Sequence, residues 1–101
     1  MRMLLLVSLP VEEFNAAVRD GSAGRKIQQI LEEMEPESIY FTERAGRRGA
    51  IAVVDVAEPS QVPALAEPWF LHFNAEVEFR IAMTPEDLNR AGLDELGKKW
   101  A

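Results

Sequence analysis

The chain has 101 residues, of which 48% are hydrophobic and 28% are charged. This composition is typical of a folded protein, and the length supports one hydrophobic core, so residues 1–101 are expected to form a single domain. Seventeen Asp and Glu against eleven Lys and Arg give a net charge of -6, the wrong sign for binding a nucleic-acid backbone. With no cysteine and one histidine, a disulfide framework, a cysteine nucleophile and a Cys/His zinc site are excluded. No metal and no cofactor are expected.

The apolar run Met3 to Leu9 predicts the first strand. It follows Arg2 in the manner of a secretory signal, but it is short for a signal core, and the acidic segment Pro10 to Glu13 comes directly after it. A continuous apolar run is typical of a strand that is covered on both faces. No stretch approaches the ~20 apolar residues of a membrane span. We therefore expect a cytoplasmic protein with no membrane partner.

Two helical pieces are predicted for the next segment. Apolar residues recur there at helical spacing in two separate stripes, and Pro36 ends the second stripe. Between the stripes, Asp20 to Gly24 contains two glycines, which weaken a helix and predict a break. The stripes consist of Val11, Phe14 and Val18, and then of Ile27, Ile30, Leu31 and Met34.

A β-hairpin is predicted next. Ile39 to Thr42 is rich in β-branched and aromatic residues, Ala50 to Val56 is apolar, and the segment between them contains two turn glycines. A register that pairs Arg44 with Gly49 places Tyr40 and Thr42 on the same face as Ile51, Val53 and Asp55.

The rest of the chain predicts a helix, a strand and a terminal helix. Ser60 is the predicted N-cap of a short helix that Pro68 stops. Strict alternation from Ala75 predicts a strand with one buried face, and Thr84 with Asp87 forms the start signal of a final helix. On that helix, Leu93, Leu96 and Trp100 are candidates either for a dimer seam or for the intrachain core.

The predicted order is that of an α+β protein with the ferredoxin-like βαββαβ arrangement and an extra C-terminal helix. Both helices of this arrangement cover the same sheet face. The second apolar set of the first strand, including Leu4 and Leu6, would then face water in a monomer. A two-fold pair of such sheets, closed into a dimeric α/β barrel, is the simplest cover, so a homodimer is expected.

Several segments together carry a resemblance to a known family. They are the segment from Tyr40 through the hairpin to Val56, then Pro59-Ser60, Pro68-Trp69-Phe70 and Glu76-Val77-Glu78. In these segments the chain resembles the dimeric α/β-barrel superfamily, and within it the muconolactone isomerases and small bacterial proteins of the same build. The resemblance implies the same fold and dimer, and it suggests a cofactor-independent isomerase or monooxygenase as one possible activity.

Six residues are the predicted lining of a small-molecule site between the sheet and the first helical region. Bulky and polar side chains alternate on the second strand and meet an aromatic corner after the short helix, which is typical of ligand pockets. Arg44, Arg47 and Arg48 concentrate positive charge in an acidic chain and favour an anionic ligand, although charged hairpin tips also serve solubility. The six residues are Tyr40, Thr42, Arg44, Trp69, Phe70 and His72.

His72, Glu76 and Glu78 are the weak candidates for acid–base catalysis. The only histidine has a suitable ordinary pKa, and either carboxylate is a possible proton acceptor if the fourth strand turns its polar side into a cavity. A locally bonded corner histidine and a solvated charged stripe are the structural alternatives. The preferred function is a dimeric domain that binds a small anionic or aromatic molecule. The alternatives are the isomerase or monooxygenase and a non-catalytic interaction module.

Overall fold

A computed structural model describes all residues, 1–101. It is an α+β protein with a four-stranded antiparallel sheet in the order β2-β3-β1-β4. The strands are β1 (Arg2–Ser8), β2 (Ser38–Arg44), β3 (Arg47–Asp55) and β4 (Glu76–Ile81). The helices are α1 (Val11–Arg19), α2 (Ala23–Met34), α3 (Val62–Phe73), α4 (Pro85–Arg90) and α5 (Leu93–Lys99), with a 3₁₀ turn at Pro59–Gln61 before α3.

The hydrophobic core lies between one face of the sheet and helices α1, α2 and α3. Alternate residues of β1 and β3 point into it, as the period of two in a strand requires. The largest fully buried side chains come from the sheet, from the residue that follows β1, and from α2 and α3. They are Leu5, Leu9, Ile30, Val54, Trp69 and Phe73.

The break predicted between the two helical pieces is present. Helix α1 ends at Arg19, and Gly21 adopts a positive φ of 81°, which glycine accepts without a Cβ penalty. The carboxylate of Asp20 accepts a hydrogen bond from the Ser22 backbone N–H at 2.8 Å. This turn redirects the chain into α2.

The hairpin forms in a different register from the predicted one. Arg44 pairs with Arg47 and Thr42 with Gly49, two residues away from the expected pairing. The reason is a two-residue turn in which Ala45 and Gly46 both have positive φ, the geometry that suits the right-handed twist of a hairpin. Because a shift of two preserves the alternation, Tyr40 and Thr42 keep the predicted face.

Helix α3 does not stop at Pro68, contrary to the sequence prediction. It continues to Phe73 with Pro68 inside it, so the carbonyl of Ala64 loses its helical N–H partner. Trp69 and Phe73, which lie on successive turns, are both buried in the core. Their packing holds the helix together across a residue that would otherwise end it.

The C-terminal segment projects from the rest of the molecule. Neither α4 nor α5 contains a buried residue. The longest dimension of the chain is 59 Å and its radius of gyration is 17.0 Å, whereas a compact chain of this length has a radius near ~13 Å. We call residues 82–101 the arm. None of the helices in the protein has both the length and the apolar character needed to cross a membrane.

Candidate functional site

The sheet face that carries no helix is the candidate site, and we call it the open face. Cross-strand pairing arranges its side chains in rows. The middle rows are largely apolar, and the rows at the β2–β3 hairpin end are polar. The apolar members are Leu4, Leu6, Tyr40, Ile51 and Val53, and the polar end consists of Ser8, Thr42, Arg44, Arg47 and Glu76 beside Gly49.

An ion-pair network crosses the open face. Arg44 lies on the edge strand β2, and its guanidinium reaches the carboxylate of Glu78 on the opposite edge strand β4 at 3.3 Å. Arg80 approaches the other oxygen of the same carboxylate at 3.2 Å. The hydrogen bond and charge of Arg44, helped by Arg80, lower the pKa of Glu78. Glu78 is therefore held as a carboxylate and is a poor proton acceptor near neutrality.

Gly49 lies in the middle of the polar end and is itself buried. It pairs with Thr42 on one side and Ser8 on the other, and it contributes no side chain between them. A Cβ at this position would lie 2.7 Å from the carbonyl oxygen of Val7, so the backbone of β1 occupies the space that any other residue would need. The close approach of β1 and β3 here requires glycine.

Beside Ser8 and Arg47 lies a depression of about 280 Å³ with charged walls. A second hollow of about 160 Å³, lined by Leu6, Thr42, Gly49 and Ile51 among others, adjoins it through the shared residues Leu6 and Arg44. The first depression is lined by Leu6, Ser8, Arg44, Ala45, Arg47, Glu76 and Glu78. It combines an apolar floor with hydroxyl, carboxylate and guanidinium groups.

Arg47 is the guanidinium on this face that takes part in no ion pair. The neighbouring Arg48 points the other way, where it donates a hydrogen bond to Asn15 at 2.8 Å and lies 4.9 Å from the ring centre of Phe14. The three hairpin arginines thus have three different roles. Arg44 bridges to Glu78, Arg48 packs on α1, and Arg47 remains available to an anion.

The six predicted ligand-binding residues fall on two sides of the sheet. Tyr40, Thr42 and Arg44 lie on the open face, and Tyr40 is 72% exposed. Trp69, Phe70 and His72 belong to α3 on the other side, because helices cover only the core face. The structure does not bring the two groups together, since the packed core separates them.

Trp69 is a core residue. It has no exposed surface, and its indole nitrogen is buried without a hydrogen-bond partner. Phe70 lies on the exposed side of α3, and His72 is half-buried with its ring 6.0 Å from that of Phe73.

A separate groove of about 360 Å³ runs between α2 and α3. Its lining includes His72, Pro68, the exposed Leu71 and the two carboxylates Glu33 and Glu67. It lies beside the helical turn where Pro68 leaves the Ala64 carbonyl unpaired. This groove is on the opposite side of the sheet from Arg44 and Arg47.

Of the three weak catalytic candidates, two share the open face and one does not. Glu76 and Glu78 line the charged depression, and His72 lies in the helical groove. His72 therefore does not form an acid–base pair with either carboxylate. No group of three or more His, Asp or Glu side chains is arranged to hold a metal ion.

Sequence reasoning missed Leu6, Ser8 and Arg47 as parts of one depression, and Gly49 as part of the hollow that adjoins it. A lone glycine inside an otherwise apolar strand is a signal of close backbone approach, and Gly49 carried that signal. The predicted topology already put Leu6 on the uncovered sheet face, but the contribution of Ser8 depends on the register between β1 and β3, which pairs it with Gly49.

No protein-family model matches the chain, and no curated protein matches it.

Proposed function

We propose that this protein is a ferredoxin-like domain that forms a homodimer through its open face and binds a small organic anion at the polar end of that face. The observation that carries the proposal is the unpaired guanidinium of Arg47 in the charged depression, on a sheet face that no helix covers. The sheet order β2-β3-β1-β4 with β1 and β3 in the centre supports the ferredoxin-like assignment.

The division of the open face supports a dimer with a cavity. Leu4, Leu6, Ile51 and Val53 form an apolar centre that water would otherwise contact. Pairing two such faces around a two-fold axis removes this surface from water, at roughly 25 cal/mol per Å². The polar end holds the charged depression, which leaves room for a ligand beside the apolar centre.

The chemistry of the polar end indicates the ligand class. A guanidinium recognises a carboxylate or phosphate in a bidentate manner, and hydroxyl groups of Ser8 and Thr42 are further donors. Leu6 and Ile51 offer an apolar contact next to them. A small carboxylate with an apolar or aromatic body fits this combination.

The dimer is tested by light scattering on two lysine variants. Leu6→Lys places an unpaired charge in the proposed interface and is expected to produce monomers or aggregates. Leu71→Lys is the matched control, because Leu71 is 80% exposed on α3 and remote from the open face. The expected result is a dimeric wild type and a dimeric Leu71→Lys variant. A wild type that stays monomeric at micromolar concentration would overturn the proposal.

Binding is tested with benzoate as the probe and neutral benzamide as its control. At 100 times its dissociation constant, benzoate is expected to stabilise the protein by about 2.7 kcal/mol in thermal unfolding. Arg47→Gln should abolish this shift, and Arg48→Gln should leave it intact, because Arg48 faces α1. Equal stabilisation by benzamide would show that the site does not recognise the negative charge. An unchanged shift in Arg47→Gln would show that benzoate binds elsewhere. Either result would overturn the proposal.

A further inference from the structure

The arm, residues 82–101, has an apolar side with nothing to pack against. Leu93, Leu96 and Trp100 recur at spacings of three and four and so share one side of α5. All three are exposed, Trp100 by 76%, and Leu88 and Met83 extend the exposed apolar surface toward the sheet. A helix with such a stripe normally buries it against another element.

The local structure of the arm shows that it is a formed element. A reciprocal capping box joins Thr84 and Asp87, with the two hydrogen bonds at 3.0 and 3.1 Å. Pro85 occupies the first turn, where its missing N–H costs nothing. Gly92 has a φ of 71° and turns the chain between α4 and α5. Isolated helices of six and seven residues are unstable in water, so α4 and α5 need a packing partner to stay folded.

We infer that the arm packs on a second copy of this chain and clasps the dimer. This inference rests on the proposed dimer and adds the element that stabilises it. The arm leaves the body directly after β4, where the Ala82 backbone N–H still donates to the carbonyl of Arg2 at 3.1 Å. It therefore starts at the end of the edge strand β4, two residues after Arg80, which lies on the open face opposite Leu4. An arm that crosses to the partner continues the interface without a break.

The area of the open face supports the same occupant. Four strands about 4.8 Å apart and seven residues long cover a footprint of about 440 Å². A stable dimer buries about 800 Å² per partner, which is nearly twice that area. The six residues of α4 and the seven of α5, about 1.5 Å apart along a cylinder about 10 Å wide, add roughly 200 Å². In a two-fold dimer, each protomer buries its own arm and also the surface that the partner's arm covers. The area buried per protomer then comes close to the usual size.

The experiment uses the full chain and measures its dimer dissociation constant by sedimentation equilibrium. Leu93→Gln with Leu96→Gln removes the apolar stripe and is expected to raise this constant at least tenfold. Asp94→Gln with Lys98→Gln is the matched control on the other side of α5, and it should change the constant less than threefold. An equal effect of both pairs, or no effect of the first, overturns the inference.

Trp100 supplies an independent readout. Acrylamide quenches exposed indoles, and Trp69 is already fully shielded, so the quenched fraction reports Trp100. We expect Trp100 to be shielded at dimer concentrations and to become quenchable on dilution, with the same midpoint as the loss of mass. A dimer in which Trp100 stays quenchable overturns the clasp and leaves the sheet dimer standing. A monomeric wild type overturns the dimer itself, and a shielded Trp100 in that monomer would mean that the arm folds onto its own chain.

Discussion

At the residue scale, Gly49 allows β1 and β3 to approach closely at the point where the candidate site lies. The carbonyl of Val7 lies where a Cβ would be, and backbone atoms of a central strand cannot move away as a flexible side chain can. Gly49→Ala is therefore expected to lower the free energy of unfolding by about 1–3 kcal/mol in urea titrations. Gly24→Ala is the control. It lies in α2 with open space around it, so alanine should stabilise the helix by up to ~1 kcal/mol. Equal losses in both variants would contradict this account.

Glu78 gives the protein a predictable response to acid. Its pKa is lowered in the folded state by Arg44 and Arg80, so it contributes stability above its ordinary pKa of 4.5. That contribution is lost as the pH falls from 4.5 through the lower folded value. Asp20 and Asp87, whose pKa values are lowered by hydrogen bonds from Ser22 and Thr84, act in the same direction.

The expected result is that Glu78→Gln flattens part of the decline in unfolding free energy when both proteins are titrated from pH 6 to pH 3. Because the pair is exposed, the difference should shrink in high salt. Two curves of identical slope would show that the network contributes nothing to folding.

At the element scale, α3 contains a built-in defect. Pro68 removes one helical hydrogen bond and crowds the preceding turn, at a cost of about 3 kcal/mol, and it offsets about 1 kcal/mol of this by restricting the unfolded chain. Pro68→Ala should therefore raise the free energy of unfolding by about 2 kcal/mol. Pro63→Ala, in the first turn of the same helix, should bring no gain. A loss of stability in Pro68→Ala would mean that the ring packs in the groove more tightly than its exposure indicates.

Helix α3 also shows which features of the fold can be predicted from the sequence and which cannot. The break at Gly21, the strand from Glu76 and the cap at Thr84 depend on local chemistry, and the sequence predicts them. Helix α3 continues past Pro68 because Trp69 and Phe73 pack in the core. This tertiary packing cannot be predicted from the local sequence. Because the helix continues through Pro68, the expected aromatic corner is absent, and the residues after Pro68 lie away from Arg44.

The hairpin shows an intermediate case. Because side chains alternate between the two faces of a strand, the sequence alone placed Tyr40, Thr42 and Arg44 on one face. Predicting the register would have required the length of the turn. That length depends on Ala45 adopting a positive φ, which alanine disfavours, so the sequence did not indicate it. The predicted topology also put Leu6 on the open face, but it gave no register for β1 against β3, so it could not bring Ser8 opposite Gly49. The face of each residue was therefore predictable from the sequence, and the residues that meet across strands were not.

At the scale of the whole molecule, a dimer makes stability depend on protein concentration. Mass action favours the associated folded state, so the melting temperature should rise steadily across a hundredfold increase in concentration. Leu6→Lys should remove this dependence, and Leu71→Lys should retain it. Calorimetry at several concentrations measures the effect. A constant melting temperature in the wild type would indicate that folding is independent of association.

The placement of β1 in the centre of the sheet has a consequence for how the protein is made. Leu5 pairs with Ala52 on one side and with Phe79 on the other, so β1 is synthesised before both of its partners and waits longest for β4. At about 5–20 residues per second, the delay before Phe79 is translated is roughly 4–15 s. During that time at least one backbone edge of this apolar strand is unsatisfied. Nascent chains are therefore most vulnerable to association before translation ends, and slower synthesis lengthens their exposure.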